Sequence, residues 1–297
     1  MAKVVAICNQ KGGVGKTTTG INLAAFLAER GLNILLIDMD PQANTTSGLG
    51  IEKASLSMSL YNAVLGEVDI KDMILSTAVS GLDLIPSHPD LAGANVELVN
   101  AIGREFKLKK TIAPIRDMYD AILIDCPPSL GILTINALTA ADSMLIPLQC
   151  EYYALEGLGQ LMRTMGLVQE HLNPTLHTEG VLLTMADYRT KLTEEVINEA
   201  REHFKEQVYD TVIPRSVRLS EAPGYGKPIM LYNRTSQGAQ AYDKLAEEFI
   251  SRNPNISNRL GQKTASGLEP KDIDWDCLLY TSPSPRDRTR YRMPSSA

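Results

Sequence analysis

A buried strand that turns through three glycines directly into a helix leaves a chain few options. Here the apolar run Val4-Val5-Ala6-Ile7 is followed by Asn9-Gln10-Lys11-Gly12-Gly13-Val14-Gly15-Lys16-Thr17-Thr18 and then by a helix-forming stretch. Glycines let the backbone curl until successive N–H groups face one anion, and the helix opening at Thr17 adds the positive end of its dipole. In such a loop Lys16 neutralises the β- and γ-phosphates of a nucleotide and Thr17 offers its hydroxyl to Mg²⁺. The string therefore predicts a nucleotide-binding protein.

The spacing is not that of the ordinary phosphate loop, which has glycine where this chain has Gln10. A second lysine, Lys11, stands before the glycines, giving K-G-G-x-G-K-T-T. A cation there is badly placed for its own loop and well placed to reach a phosphate held by another subunit.

With these residues the chain resembles the deviant Walker ATPases, among them the ParA/Soj partition proteins, the division-site protein MinD and the nitrogenase iron protein. The likeness to ParA/Soj is close and runs from about Lys3 to about Arg252. Beyond the loop it rests on Asp38-Met39-Asp40-Pro41-Gln42-Ala43-Asn44, Ile124-Asp125-Cys126-Pro127-Pro128-Ser129, Glu151-Tyr152-Tyr153-Ala154-Leu155-Glu156-Gly157 and Ile213-Pro214-Arg215-Ser216-Val217-Arg218-Leu219-Ser220-Glu221-Ala222-Pro223. The first two motifs are shared across the family, and the last two point to ParA/Soj.

Strand-like runs at Lys3-Cys8, Asn33-Asp38, Leu82-Pro86, Ala121-Asp125, Ser143-Pro147, Gly180-Met185 and Val208-Ile213 alternate with helical patterns. Among the latter are Thr17-Arg30 closed by Gly31, Leu155-Leu172 and Thr193-Glu206. This order predicts an α/β fold, a doubly wound, mostly parallel twisted sheet with helices on both faces. Ligands in such sheets bind beyond the carboxyl ends of the strands, where the phosphate loop, Asp38 and Asp125 all fall. The stripe Ala239, Tyr242, Leu245, Ala246, Phe249 and Ile250 on the helix Ser236-Arg252 reads as core packing. Its other surface carries Asp243, Lys244, Glu247 and Glu248, a mostly acidic side unlike that of a helix that lies on anionic lipid.

Residues 1–252 thus form the ATPase domain, and residues 253–276, rich in Asn, Ser, Pro and Gly, read as a flexible tail. Residues 277–297 resemble a translated sequencing adapter and are expected to be disordered. That segment carries four arginines and one aspartate, so setting it aside takes the net charge from −6 to −9. An acidic chain excludes wholesale attraction to nucleic acid, so any DNA contact must come from local patches. No apolar stretch approaches the ~20 residues that span a bilayer and no signal peptide precedes the loop, which points to the cytoplasm; the resemblance to ParA/Soj implies nucleoid association. Cys8, Cys126, Cys150 and Cys277 form no C-x-x-C pair and read as reduced thiols, not ligands of zinc or an iron–sulfur cluster.

Hydrolysing ATP needs a metal, a cation for the transition state and a positioned water. Asp125 fits the role of holding Mg²⁺ through water, with Thr17 as a direct ligand and Asp38 supporting the metal shell. The resemblance further implies that Asp40 orients the attacking water and that two ATP-bound subunits close face to face, each passing Lys11 to the opposite γ-phosphate. It also implies that Pro214 and Arg215 frame the adenine, and that Arg189 and Arg218 touch nonspecific double-stranded DNA in the nucleoid through phosphates. A ParB-type, centromere-binding partner is then expected to stimulate hydrolysis, slow in its absence, during chromosome or plasmid segregation. No helix-turn-helix precedes Lys3, so operator binding is not expected. The competing reading is a MinD-like ATPase that cycles on a membrane and places the division site.

Overall fold

The computed structural model describes residues 1–151 and 156–265. Among them a seven-stranded sheet runs in the order β3-β4-β2-β5-β1-β6-β7. The strands are β1 (Lys3–Ile7), β2 (Ile34–Asp38), β3 (Leu75–Ser76), β4 (Leu82–Ile85), β5 (Ala121–Asp125), β6 (Ser143–Gln149) and β7 (His177–Thr184). All neighbouring pairs are parallel except β3 with β4. The helices that bear on the site or the core are α1 (Lys16–Glu29), α2 (Asn44–Gly48), α3 (Ile132–Ala140), α4 (Glu156–His171), α5 (Lys191–Phe204), α6 (Gln237–Arg252) and α7 (Pro254–Ala265).

The central strands are apolar without alternation because both their faces are covered. Successive side chains still point to opposite sides. Val4, Ala6, Leu35, Ile37, Ile122 and Ile124 join one core, packed under α3, α4 and α5. Val5, Ile7, Ile34, Leu36 and Leu123 join the other, under α1, α6 and α7. Register then places the chemistry: Ile7 lies beside Asp125, and Asp125 beside Asp38, so three strands end in one row.

The apolar stripe of α6 is spent inside the molecule. Ala239, Tyr242, Leu245, Ala246 and Phe249 are buried, and the Tyr242 hydroxyl lies 3.1 Å from Thr19 Oγ1 of α1. Arg30 bonds Asp243 at 2.6 Å and Glu247 at 3.3 Å across the same seam. Packing, not a lipid surface, accounts for this helix.

Two expectations from the sequence need correction. Residues 208–213 do not form a strand; they touch β7 through the bridge Val181↔Val208 and two backbone bonds, Tyr209 N to Val181 O and Ile213 N to Leu183 O. The ladder is interrupted because Asp210 N and Thr211 N donate instead to the carboxylate of Glu248 at 2.8 and 2.9 Å. The stretch after Arg252 is not a flexible tail up to residue 265. It forms α7, with Ile256 buried and Leu260 packed beside it one turn on. Arg259 and Lys263, also one turn apart, both reach Asp120, at 3.3 and 2.5 Å. Residues 266–276, and the adapter-like 277–297, lie outside the described residues, as do 152–155 of the Glu151-to-Gly157 motif.

Candidate phosphate and metal site

The phosphate loop is held open by its neighbours. Gly13 and Gly15 take φ of 75° and 90°, the left-handed region that glycine enters without strain, and Gly15 caps α1. Asn9 ties the loop to β6 by donating to Pro147 O at 2.7 Å, and its own Oδ1 accepts from Lys11 N at 3.0 Å. At the far side Thr184, at the end of β7, donates to Val14 O at 2.9 Å. Gly12 and Gly13 stay exposed, whereas Lys16 is buried and donates to Lys11 O at 3.1 Å. A buried ammonium with a single carbonyl partner among the described residues is poised to exchange it for phosphate oxygens, which are charged acceptors.

Asp125 is fully buried at the end of β5. Its Oδ2 accepts hydroxyl bonds from Thr17 and Thr45, both at 2.7 Å, while Oδ1 has no partner among the described residues. An orphaned carboxylate oxygen in a dry site costs free energy unless something fills its place. A hydrated Mg²⁺ fits these residues, since Thr17 and Asp125 are the oxygen donors such an ion takes beside phosphates. Beside it, Asp38 accepts from Thr46 N at 2.8 Å and Thr46 Oγ1 at 2.7 Å through Oδ2, and from Asp40 N at 3.2 Å through Oδ1. Burial, reinforced by the negative Asp125, pushes the Asp38 carboxyl up to about 7; burial also pushes Asp125 up to about 6, against its two hydroxyl donors. Asp40 is buried on the following loop, and its Oδ1 accepts from Gln42 N at 2.9 Å.

A family model described as an AAA domain matches residues 2–178. The chain is 58% identical over 248 residues to the sporulation initiation inhibitor protein Soj of Bacillus subtilis, covering 84% of this chain and 98% of that protein. The chain belongs to the ParA/Soj family. It is also 52% identical over 259 residues to the chromosome partitioning protein ParA of Myxococcus xanthus, over 87% of this chain and 92% of that one. Among solved structures it is similar to a cobyrinic acid a,c-diamide synthase of Mycobacterium smegmatis with bound ADP and magnesium. That match has a TM-score of 0.75 and 39% identity, and it covers 83% of this chain and 93% of the other.

Lys11 is half exposed and pairs with Glu151 at 3.3 Å, whose second oxygen accepts from Gln149 Nε2 at 2.5 Å. The loop after β7 and the segment after residue 213 run side by side through the bridge Ala186↔Pro214 and the bond Arg215 N to Ala186 O at 3.0 Å. Arg189 and exposed Arg215 therefore flank Asp187, which Arg189 grips at 2.6 and 2.8 Å. That fork, with the nearby Arg215 charge, holds the Asp187 carboxyl down at about 2. Arg218 is paired with Glu221 at 2.8 Å. Met185, just before the bridge, approaches the phosphate loop: its Cε would lie 3.9 Å from a Cβ at Gly15. Pro214 is thus joined to the loop through Ala186 and Met185.

Thr45, Thr46 and Thr184 were not visible as site residues in the sequence. Each is a buried hydroxyl whose role depends on which loop it meets, and no spacing announces that. Cys8, Cys126 and Cys150 are buried free thiols, and burial, with Cys8 3.0 Å away, holds the Cys126 thiol well above its ordinary range.

Proposed function

We propose that this chain is a Mg²⁺-dependent ATPase that partitions DNA: it closes into a dimer on ATP, binds nonspecific DNA as that dimer, and is released when a ParB-type partner stimulates hydrolysis. The observation that carries the reading is the Asp125 carboxylate, with one oxygen filled by two hydroxyls and the other bare and buried, next to a phosphate loop whose buried lysine faces a single carbonyl. The names and bound nucleotides of the relatives support the same reading.

Lys16 and the loop N–H groups bind and orient the β- and γ-phosphates. Thr17 and Asp125, supported by Asp38, would hold Mg²⁺, which would supply positive charge to offset that of the phosphates. Asp40 orients water for attack on the γ-phosphate. Lys11 is held near its own loop by Glu151 and transfers to the phosphate of the second subunit. Because that contact exists only with the triphosphate, hydrolysis favours separation. Pro214 and Arg215 frame the base, and Arg189 and Arg218 exchange their acidic partners for DNA phosphates. For a MinD-like membrane cycle nothing in the structure speaks, since the amphipathic face of α6 is buried; among the described residues no helix is long and apolar enough to cross a membrane.

The test is ATP binding and hydrolysis with and without Mg²⁺. Wild type is expected to turn over slowly and only with the metal, and Lys16→Ala is expected to weaken binding by roughly a hundredfold, the worth of two charged hydrogen bonds. Unchanged ATP affinity in Lys16→Ala would count against the loop assignment.

A further inference from the structure

Asp125 could rotate about its last bond and present either oxygen to a cation. Thr17 alone, on the phosphate loop, would leave that rotation open. The second donor closes it: Thr45 Oγ1 meets the same Oδ2 at 2.7 Å from a different element, α2, and Thr45 has no exposed surface. Two donors converging on one oxygen from separate directions fix the carboxylate plane and leave Oδ1 as the free atom.

The same turn carries Asp40 five residues earlier. Between them the chain is tightly closed: Ala43 N donates to Asp40 O at 2.8 Å, and Ala43 adopts φ 51°, a left-handed conformation unusual for a residue with a Cβ. Thr46 completes the clasp by donating to Asp38, the register neighbour of Asp125, while its hydroxyl oxygen accepts from Ser87 N at 3.0 Å. The first turn of α2 therefore grips both carboxylates of the sheet edge, and any shift of the Asp40 loop is felt at Asp125.

We infer that Thr45 is a positioning residue for the metal site: its hydroxyl orients Asp125 toward the cation and couples cation binding to the placement of the Asp40 loop. The inference rests on the Mg²⁺-dependent ATPase reading above and deepens it. It predicts that removing the hydroxyl acts on magnesium and leaves the phosphate loop intact.

Thr45→Val keeps the shape, Thr45→Ala tests the same loss with less bulk, and Thr45→Ser restores the donor. Binding of a fluorescent ATP analogue is titrated in EDTA and over a range of free Mg²⁺, alongside steady-state hydrolysis. The valine and alanine variants are expected to need about tenfold more Mg²⁺ for half-maximal binding and turnover, the loss of one hydrogen bond to a charged acceptor. Their affinity in EDTA should stay within about twofold of wild type, and serine should return the magnesium requirement to within about threefold. Wild-type magnesium dependence in both hydroxyl-less variants overturns the inference, as does a loss of affinity equal with and without Mg²⁺, or a serine variant that fails to recover. A wild-type chain that binds and hydrolyses ATP equally well in EDTA would instead sink the Mg²⁺ dependence on which the inference rests.

Discussion

The residues of the site are unstable on their own terms. Asp125 ionises near 6 in place of its ordinary 3.8 because burial outweighs two hydroxyl donors. A folded state that holds its proton more tightly than the unfolded one loses stability as pH rises from about 4 through about 6. Asp125→Asn keeps an acceptor for Thr17 and Thr45 and removes the charge. In EDTA at pH 8 it is expected to be more stable than wild type by roughly 2 kcal/mol, with the gain gone near pH 4, as thermal unfolding would show. With ATP and Mg²⁺ the order should reverse, because the amide holds the ion poorly; an equal gain at every pH would refute the account. The placement of Lys16, Thr17 and Asp125 at one sheet edge was legible in the sequence because Lys16 and Thr17 follow the glycine turn after β1 and Asp125 ends the apolar run of β5. Thr45 and Thr46 were not, since their contacts depend on a loop path through left-handed Ala43 that no pattern encodes.

At the scale of elements, the strands were read well where both faces are buried, because uninterrupted apolar runs such as Ile34–Asp38 have no competing use. The segment 208–213 is also rich in strand-forming residues, yet Glu248 takes the N–H groups of Asp210 and Thr211, and a side chain 38 and 37 residues away leaves no mark on local propensity. The helix α7 was missed for the converse reason: its Asn, Ser and Gly read as loop, while Ile256 and Leu260 on the core and Arg259 and Lys263 on Asp120 fix it from outside. Ile256→Ala is expected to cost about 2–4 kcal/mol in denaturant unfolding, as for other buried aliphatic truncations. A loss under about 1 kcal/mol would mean that α7 is not docked.

For the whole molecule, the order of strands and the ends of β1, β2 and β5 assemble one edge from residues more than a hundred positions apart, which the periodicity of single elements foretold only through the rule that ligands gather there. The proposed function beyond that edge requires a second copy. Arg189 and Arg218 are exposed but occupied by Asp187 and Glu221 in a chain of net charge −6, so each subunit alone should hold DNA weakly. Two subunits together double the patch. The double variant Arg189→Ala with Arg218→Ala should dimerise normally and lose DNA by roughly tenfold or more in co-sedimentation, and the wild-type complex should weaken steeply with salt. Intact, salt-sensitive binding by that variant would discard the patch. The central claim is that the triphosphate joins two chains through Lys11. Sedimentation velocity with a nonhydrolysable ATP analogue and Mg²⁺ tests it directly: wild type should shift from monomer to dimer while Lys11→Ala remains monomeric with nucleotide bound, and a wild-type chain that stays monomeric would contradict it.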